Sequence, residues 1–231
     1  MTAELGTPRL HLRRVDSTNR RARELAGGGA PHGTLVTARE QSAGRGRQGR
    51  TWSAPAGRGL LLSLVLRRWT PLLPLAAAVA VAEESGPAAQ IKWPNDVLAD
   101  ERKVAGILVE GRPQEGWMVL GIGLNVAVAP HELAPELQAI AGTLGRDPGE
   151  VEPTLERLIA GLERRLAAAD PAVLEAFRAR DALAGRTVSW AGGTGEAAGI
   201  DEAGRLIVRT ADGEAILDAG EVHLGDPQQR D

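Results

Sequence analysis

The residues best suited to chemistry in this chain are its scarcest. Of 27 Lys and Arg residues only Lys92 and Lys103 are lysine, and Asn occurs only at Asn19, Asn95 and Asn125. Where a bias toward Arg has removed Lys nearly everywhere, a surviving ammonium marks a place where a compact point charge is needed and a planar guanidinium fork would not serve. Both lysines fall in one short region. Lys92-Trp93-Pro94-Asn95-Asp96 gathers an ammonium, an amide and a carboxylate around a Pro-fixed turn, and Lys103 follows on the return strand of a hairpin. Arginines outside the motifs, such as Arg180, read as surface.

The second concentration of chemistry is Gly44-Arg45-Gly46-Arg47-Gln48-Gly49-Arg50, in a stretch from Gln41 to Ala82 that holds no acidic residue. It matches the dinucleotide pattern GxGxxG and nearly matches a P-loop, with Arg50 where lysine belongs, but both patterns need a helix at the last glycine. Pro55, Gly57 and Gly59 argue against that helix. What remains is a loop whose glycines let backbone approach a ligand and whose forked Arg donors suit phosphate. A basic tract that contacts RNA has the same composition. Gly121-Ile122-Gly123-Leu124-Asn125 ends a strand with glycines that leave room for a ligand against backbone. Ser17-Thr18-Asn19 is at least a helix cap. The four histidines share no pattern, and neither a metal-ligand cluster nor a Ser-His-Asp arrangement is evident.

Composition narrows the classes. Among 231 residues there is no cysteine, which excludes disulfides, thiolate metal sites and thiol nucleophiles. A net charge of −3 with one basic segment points to an anionic ligand such as a nucleotide rather than to a general nucleic-acid binder. The longest apolar run, Pro71 to Ala82, is too short to span a bilayer, and the first residues carry no signal-peptide core, so the expectation is a soluble cytoplasmic protein.

The elements that must hold these groups follow from pattern. Strands are expected at Leu10–Val15, Thr34–Ala38, Gly59–Leu66 and Trp117–Val128, with a hairpin over Val97–Glu110 turning at Asp100-Glu101. Helices are expected at Arg20–Ala26, Leu72–Glu84, Pro153–Ala168 and Pro171–Ala182. Beyond Gly185 five short strands with Gly-rich turns read as a small antiparallel barrel, giving residues 1–184 as a catalytic domain and 185–231 as a second domain with a frayed tail from Asp226.

Taken in order, Ser17-Thr18-Asn19, Gln41 with GRGRQGR and Trp52, KWPND, Lys103-Val104-Ala105-Gly106-Ile107-Leu108-Val109-Glu110 and GIGLNV resemble biotin protein ligases, from about residue 10 to 225. The resemblance implies an α+β fold: a mixed β-sheet flanked by helices, like class II synthetase catalytic domains, followed by the small C-terminal barrel. It implies a reaction in which biotin's carboxylate attacks the α-phosphate of Mg²⁺-bound ATP to give biotinyl-5′-AMP, after which a lysine of a biotin carboxyl carrier protein takes the biotinyl group. By the same resemblance, Ser17, Thr18, Asn19, Gln41, Arg45, Gly46, Arg47 and Lys103 contact biotin. Gly106 and Gly123 shape the pocket wall, and Arg47, Arg50, Trp52, Lys92, Asn95, Asp96 and Asn125 line the nucleotide side. Lys103, Arg47 and Lys92 are the catalytic group. Many relatives carry an N-terminal helix-turn-helix domain; with the first strand expected near Leu10, no DNA binding is anticipated. Gln48 stands where a basic residue is common. A lipoate–protein ligase shares this fold and is the nearest rival, and a nucleic-acid-binding protein using the Arg loop is the rival from another class. The physical demand agrees with the resemblance: two anions must be brought together, so charge cancellation and alignment are the main tasks, and Mg²⁺ held by phosphates and water needs few protein ligands.

Overall fold

A computed structural model describes residues 5–218, 220 and 222–225. The expected tail, 226–231, and Glu221, assigned to the last strand, lie outside the described residues. Seven strands form one mixed sheet in the order β1 (Arg9–Leu12), β2 (Leu35–Ala38), β3 (Gly59–Leu66), β7 (Trp117–Asn125), β6 (Arg102–Arg112), β5 (Asp96–Ala99), β4 (Gln90–Lys92). Only β1 and β2 run parallel, joined by the crossover helix α1 (Thr18–Gly27); every other pairing is antiparallel. The eight residues of β3 are all buried, as a central strand covered on both faces requires.

Helix α2 (Leu73–Ser85) is apolar all round and sits between the sheet and two outer helices. Helix α3 (Val151–Leu166) presents Leu155, Leu158 and Leu162 inward, and α4 (Asp170–Arg178) presents Val173, Leu174 and Phe177. These three helices cover the sheet face that carries Leu60, Leu62, Leu64 and Leu66. The opposite face packs α1 against a smaller apolar cluster, with Ala22 and Ala26 set on Val36, Val65 and Val119. Because α1 is only 10 residues long, it leaves the glycine-bearing half of that face uncovered.

Beyond α4, strands β8 (Thr187–Trp190), β9 (Gly193–Ile200), β10 (Leu206–Thr210), β11 (Gly213–Leu217) and β12 (His223–Leu224) pair antiparallel in the order β11-β10-β9-β8-β12. Among the described residues these strands form a five-stranded antiparallel sheet in which no ladder joins β11 to β12. Short strands with Gly turns fit an open sheet or a barrel, and closure is a property of pairing that spacing alone does not reveal. The sheet is joined to the larger unit by its core: Val188, Ala197, Ile200, Leu206 and Val208 belong to the same apolar cluster as Leu72, Leu75 and Trp93. Among the described residues no helix is long and apolar enough to cross a membrane.

Candidate active site

The uncovered half of the sheet face floors a cavity of about 580 Å³, and every residue expected to contact biotin or the nucleotide lines it. Ser17, Thr18 and Asn19 reach it from the start of α1; Gln41, Arg45, Gly46, Arg47, Arg50 and Trp52 from the loop between β2 and β3; Lys92, Asn95 and Asp96 from the β4–β5 turn; Lys103 and Gly106 from β6; Gly123 and Asn125 from β7.

The basic loop has defined shape. Gln48 (φ +53°) and Gly49 (φ +76°) form a two-residue turn with positive φ at both positions, closed by bonds from the Gly46 amide to the Arg50 carbonyl (2.7 Å) and from the Arg50 amide to the Arg47 carbonyl (3.1 Å). Arg45 then bridges Thr51 across a miniature hairpin. No helix opens after Gly49, in agreement with the rejection of the dinucleotide and P-loop readings. The hairpin delivers Trp52 onto the floor. A Cβ placed on Gly123 would lie 2.3 Å from Trp52 Cε2 and one on Gly106 would lie 3.2 Å from Cζ3, so the paired glycines Gly106 and Gly123 open the space that the indole occupies. Trp52 Nε1 is buried there with no hydrogen-bond partner, an exposed demand for an acceptor.

The two scarce residue types occupy fixed places around this floor. Lys103 Nζ lies 2.7 Å from Asp96 Oδ1 and 5.8 Å from the Trp52 ring centroid. Its approach to Asp96 is an ion pair without the alignment of a hydrogen bond, and Asp96 Oδ1 accepts none. A bulge between Val97 and Leu98 sets Lys103 opposite Leu98, and the hairpin turns at Asp100 (φ +49°) and Glu101 (φ +59°) as expected. Arg47 Nη1 donates to Asn95 Oδ1 (3.0 Å), while Asn95 Nδ2 donates to the Ile107 carbonyl (3.1 Å), so the first turn of the loop is tied to the β4–β5 turn. Asn125 Nδ2 donates to the Gly142 carbonyl (2.9 Å) and its Oδ1 is buried without a partner, which both anchors residues 139–144 at the cavity and leaves an acceptor for a ligand.

Ser17 caps α1 only loosely, its Oγ accepting from the Arg20 amide at 3.5 Å. The stronger connection is Gln41, whose Oε1 accepts from both the Thr18 amide (2.7 Å) and the Thr18 hydroxyl (3.0 Å). The cap is therefore also a cavity wall. Ser63 was missed: its hydroxyl lies 2.9 Å from Thr18 Oγ1 and 2.6 Å from Asn19 Oδ1, and one polar residue inside Gly59-Leu60-Leu61-Leu62-Ser63-Leu64-Val65-Leu66 was the available signal. His223 and Leu224 from the second sheet and Leu133, Leu137 and Ile140 from the segment after β7 also line the cavity, and nothing in their spacing had marked them. Trp93 is buried and bonds the Gly204 carbonyl (3.0 Å), so the Trp of KWPND holds the second sheet while its neighbours face the cavity. Among the described residues no group of three or more His, Cys, Asp or Glu is placed to hold a metal ion.

Residues 11–126 match the sequence profile of the biotin/lipoate A/B protein ligase family, and residues 186–225 match that of the biotin protein ligase C-terminal domain. The chain is 38% identical to the biotin–[acetyl-CoA-carboxylase] ligase of Paracoccus denitrificans, over 93% of this chain and 99% of that one. It is 35% identical to the bifunctional ligase/repressor BirA of Bacillus subtilis, over 91% of this chain and 72% of the relative. Among solved structures, the biotin protein ligase of Aquifex aeolicus in complex with biotin and ATP superposes with a TM-score of 0.78 at 30% identity, covering 95% of this chain and 99% of that one. With its sequence and fold matched along most of its length, the chain belongs to the biotin/lipoate A/B protein ligase family.

Proposed function

We propose that this protein is a biotin–protein ligase that activates biotin with ATP and passes the biotinyl group to a lysine of a biotin carboxyl carrier protein. The observation that carries the reading is the junction at Lys103: one ammonium within ion-pair distance of Asp96, beside the Trp52–Gly106–Gly123 floor and facing the cavity that the basic loop closes. A biotin carboxylate and an ATP α-phosphate both need that charge, and a single cavity brings the glycine floor and the arginines together. The Paracoccus relative, named for biotin ligation, and the Aquifex structure, solved with biotin and ATP, support the choice of biotin over lipoate.

In the first step a biotin carboxylate oxygen forms a bond to the α-phosphorus, the bond from that phosphorus to the bridging oxygen breaks, and pyrophosphate leaves. In the second the carrier lysine amine attacks the acyl carbon and AMP departs, the amine losing its proton to solvent. Neither step requires a covalent bond to the enzyme. Lys103 stabilises the charge that develops between the carboxylate and the phosphoryl oxygens; Arg47, tied to Asn95, orders the loop over the adenylate; Lys92 and Arg50 extend positive charge toward the phosphates. Thr18, Gln41 and Asn19 line the end that receives the ureido ring, where paired donors and acceptors are needed. Trp52, packed on the glycine floor, offers its unpartnered N–H to the ligand.

Mg²⁺ supplies further charge neutralisation when bound with ATP. The lining fits a cation carried by phosphates and water, and Asp96, which faces the cavity beside Lys103, would be a carboxylate able to hold it. In this reading residues 185–231 are the second domain, which reaches one end of the cavity through His223 and Leu224. Mixing the protein with biotin and Mg-ATP and measuring pyrophosphate release tests the reading: release that depends on biotin and is not supported by lipoate agrees with it, and release with lipoate alone refutes it.

A further inference from the structure

Glu110, near the end of β6, does not line the cavity, yet it is joined to three residues that line or flank it. By strand alternation it shares a face with Gly106 and Leu108, and it lies opposite Val119, part of the apolar cluster beneath α1. A carboxylate beside such a cluster needs compensating partners. Asn19 Nδ2 donates to its Oε2 (3.0 Å), and Arg23 Nη1 (3.4 Å) and Arg45 Nη2 (3.2 Å) reach its Oε1. The side chain of Glu110 is only 20% exposed, whereas that of Arg45 is 46% exposed.

Two consequences follow for the site. Asn19 has its amide orientation set from both ends, Nδ2 to Glu110 and Oδ1 to Ser63 (2.6 Å), and its carboxamide lies so close over Gly121 that a Cβ there would be 2.0 Å from Oδ1. Arg45, the first arginine of a polar, Gly-rich loop with few apolar anchors, gains a fixed point on the sheet.

We propose that Glu110 is a positioning residue of the ligase: its carboxylate docks Arg45 and orients Asn19, so that the basic loop is partly ordered over the biotin end of the cavity before ligand arrives. This rests on the biotin-ligase reading above. Pre-ordering lowers the cost of fixing the loop on binding, so its loss falls on biotin affinity and not on the nucleotide.

The test uses Glu110→Gln, which keeps size and removes charge, together with Arg45→Met and the double variant. Biotin affinity is measured by calorimetry, ATP KM by pyrophosphate release, and loop accessibility by the rate of tryptic cleavage after Arg47 and Arg50 in the ligand-free protein. The expected result for Glu110→Gln is a biotin Kd raised about tenfold, equivalent to about 1.4 kcal/mol, with unchanged ATP KM and faster loop cleavage. Because Glu110 holds the loop through Arg45, the double variant cleaves no faster than Arg45→Met, while any further loss of biotin affinity in it is the share carried through Asn19. Wild-type biotin affinity and cleavage rate in Glu110→Gln, or cleavage effects that add in the double variant, overturn the proposal. Should Glu110→Gln fail to fold, Arg45→Met alone decides, since an unchanged cleavage rate after Arg47 contradicts the docking. If the wild-type protein does not bind biotin, the ligase reading fails, while the cleavage rates still report whether Glu110 holds the loop.

Discussion

Replacing Lys103 by Arg keeps the charge and changes only where it sits. The lysine Nζ occupies a slot bounded by Asp96 Oδ1 at 2.7 Å, the Trp52 ring centroid at 5.8 Å and Gly106, whose added Cβ would lie 3.4 Å from Lys103 Cε. The backbone on either side is fixed, with the Lys103 amide bonded to the Ile140 carbonyl (2.9 Å) and the Lys103 carbonyl bonded to the Gly142 amide (2.8 Å), so the longer side chain has little freedom to withdraw. A guanidinium spreads its charge over a plane, which moves the charge centre from about 3 to about 4.5 Å from each reacting anion; at an effective dielectric near 20 that lowers the attraction by about 2 kcal/mol per anion. With two anions the loss approaches that of removing a positioned transition-state donor, and Lys103→Arg is expected to slow adenylation by about 10²-fold or more. The assay is pre-steady-state pyrophosphate release at saturating biotin and Mg-ATP, with exposed Arg13→Lys as the control. A Lys103→Arg rate within about threefold of wild type refutes both the placement of the ammonium and the premise that the scarce lysines mark chemistry.

Arg47→Gly removes the tie to Asn95 and is expected to leave adenylation largely intact while the biotinyl-AMP escapes, read as increased labelling of bystander lysines and of adenylate in the filtrate. Gly123→Ala puts a methyl 2.3 Å from the Trp52 ring, so it should displace the indole and weaken biotin binding about tenfold or more by calorimetry, with little change in thermal midpoint because the cavity side yields. Burial pushes the Asp181 carboxyl above the usual carboxylate range, its Oδ2 being buried without a partner while Oδ1 accepts from the Leu183 amide (2.8 Å). A raised folded pKa means the native state takes up this proton before the unfolded chain does, so the burden of the buried charge is present above that pKa and is relieved as pH falls through it. Asp181→Asn should therefore raise the thermal midpoint relative to wild type near about pH 7 by more than it does near about pH 4.

Much of this site was legible because its residues are local in sequence and chemically conspicuous. The glycines of Gly44–Gly49, the compact KWPND turn and the two lysines stand out against an Arg- and Ala-rich background, and the hairpin at Asp100-Glu101 follows from alternation on both sides of a turn. What escaped depended on packing between distant segments. Ser63 and Glu110 reach Thr18, Asn19 and Arg45 behind the cavity only because β3, β7 and β6 lie side by side, and His223 arrives from a separate sheet. Arg180 read as surface, yet its Nη1 bonds the carbonyls of Gly86, Pro87 and Ala89 and so ties α4 to the end of α2. The extent of the five short strands was legible for the opposite reason, since strand length is local, whereas which edges meet is not.

Transfer of biotin to a carrier lysine through an adenylate made in the cavity around Lys103 is tested most directly by the intact mass of a purified biotin carboxyl carrier domain after incubation with this protein, biotin and Mg-ATP. The expected result is a gain of one biotinyl group on a single lysine, dependent on ATP and abolished when that lysine is replaced by Arg in the carrier. A carrier mass that stays unchanged while the protein binds biotin and ATP normally, or a gain that appears without ATP, would contradict it.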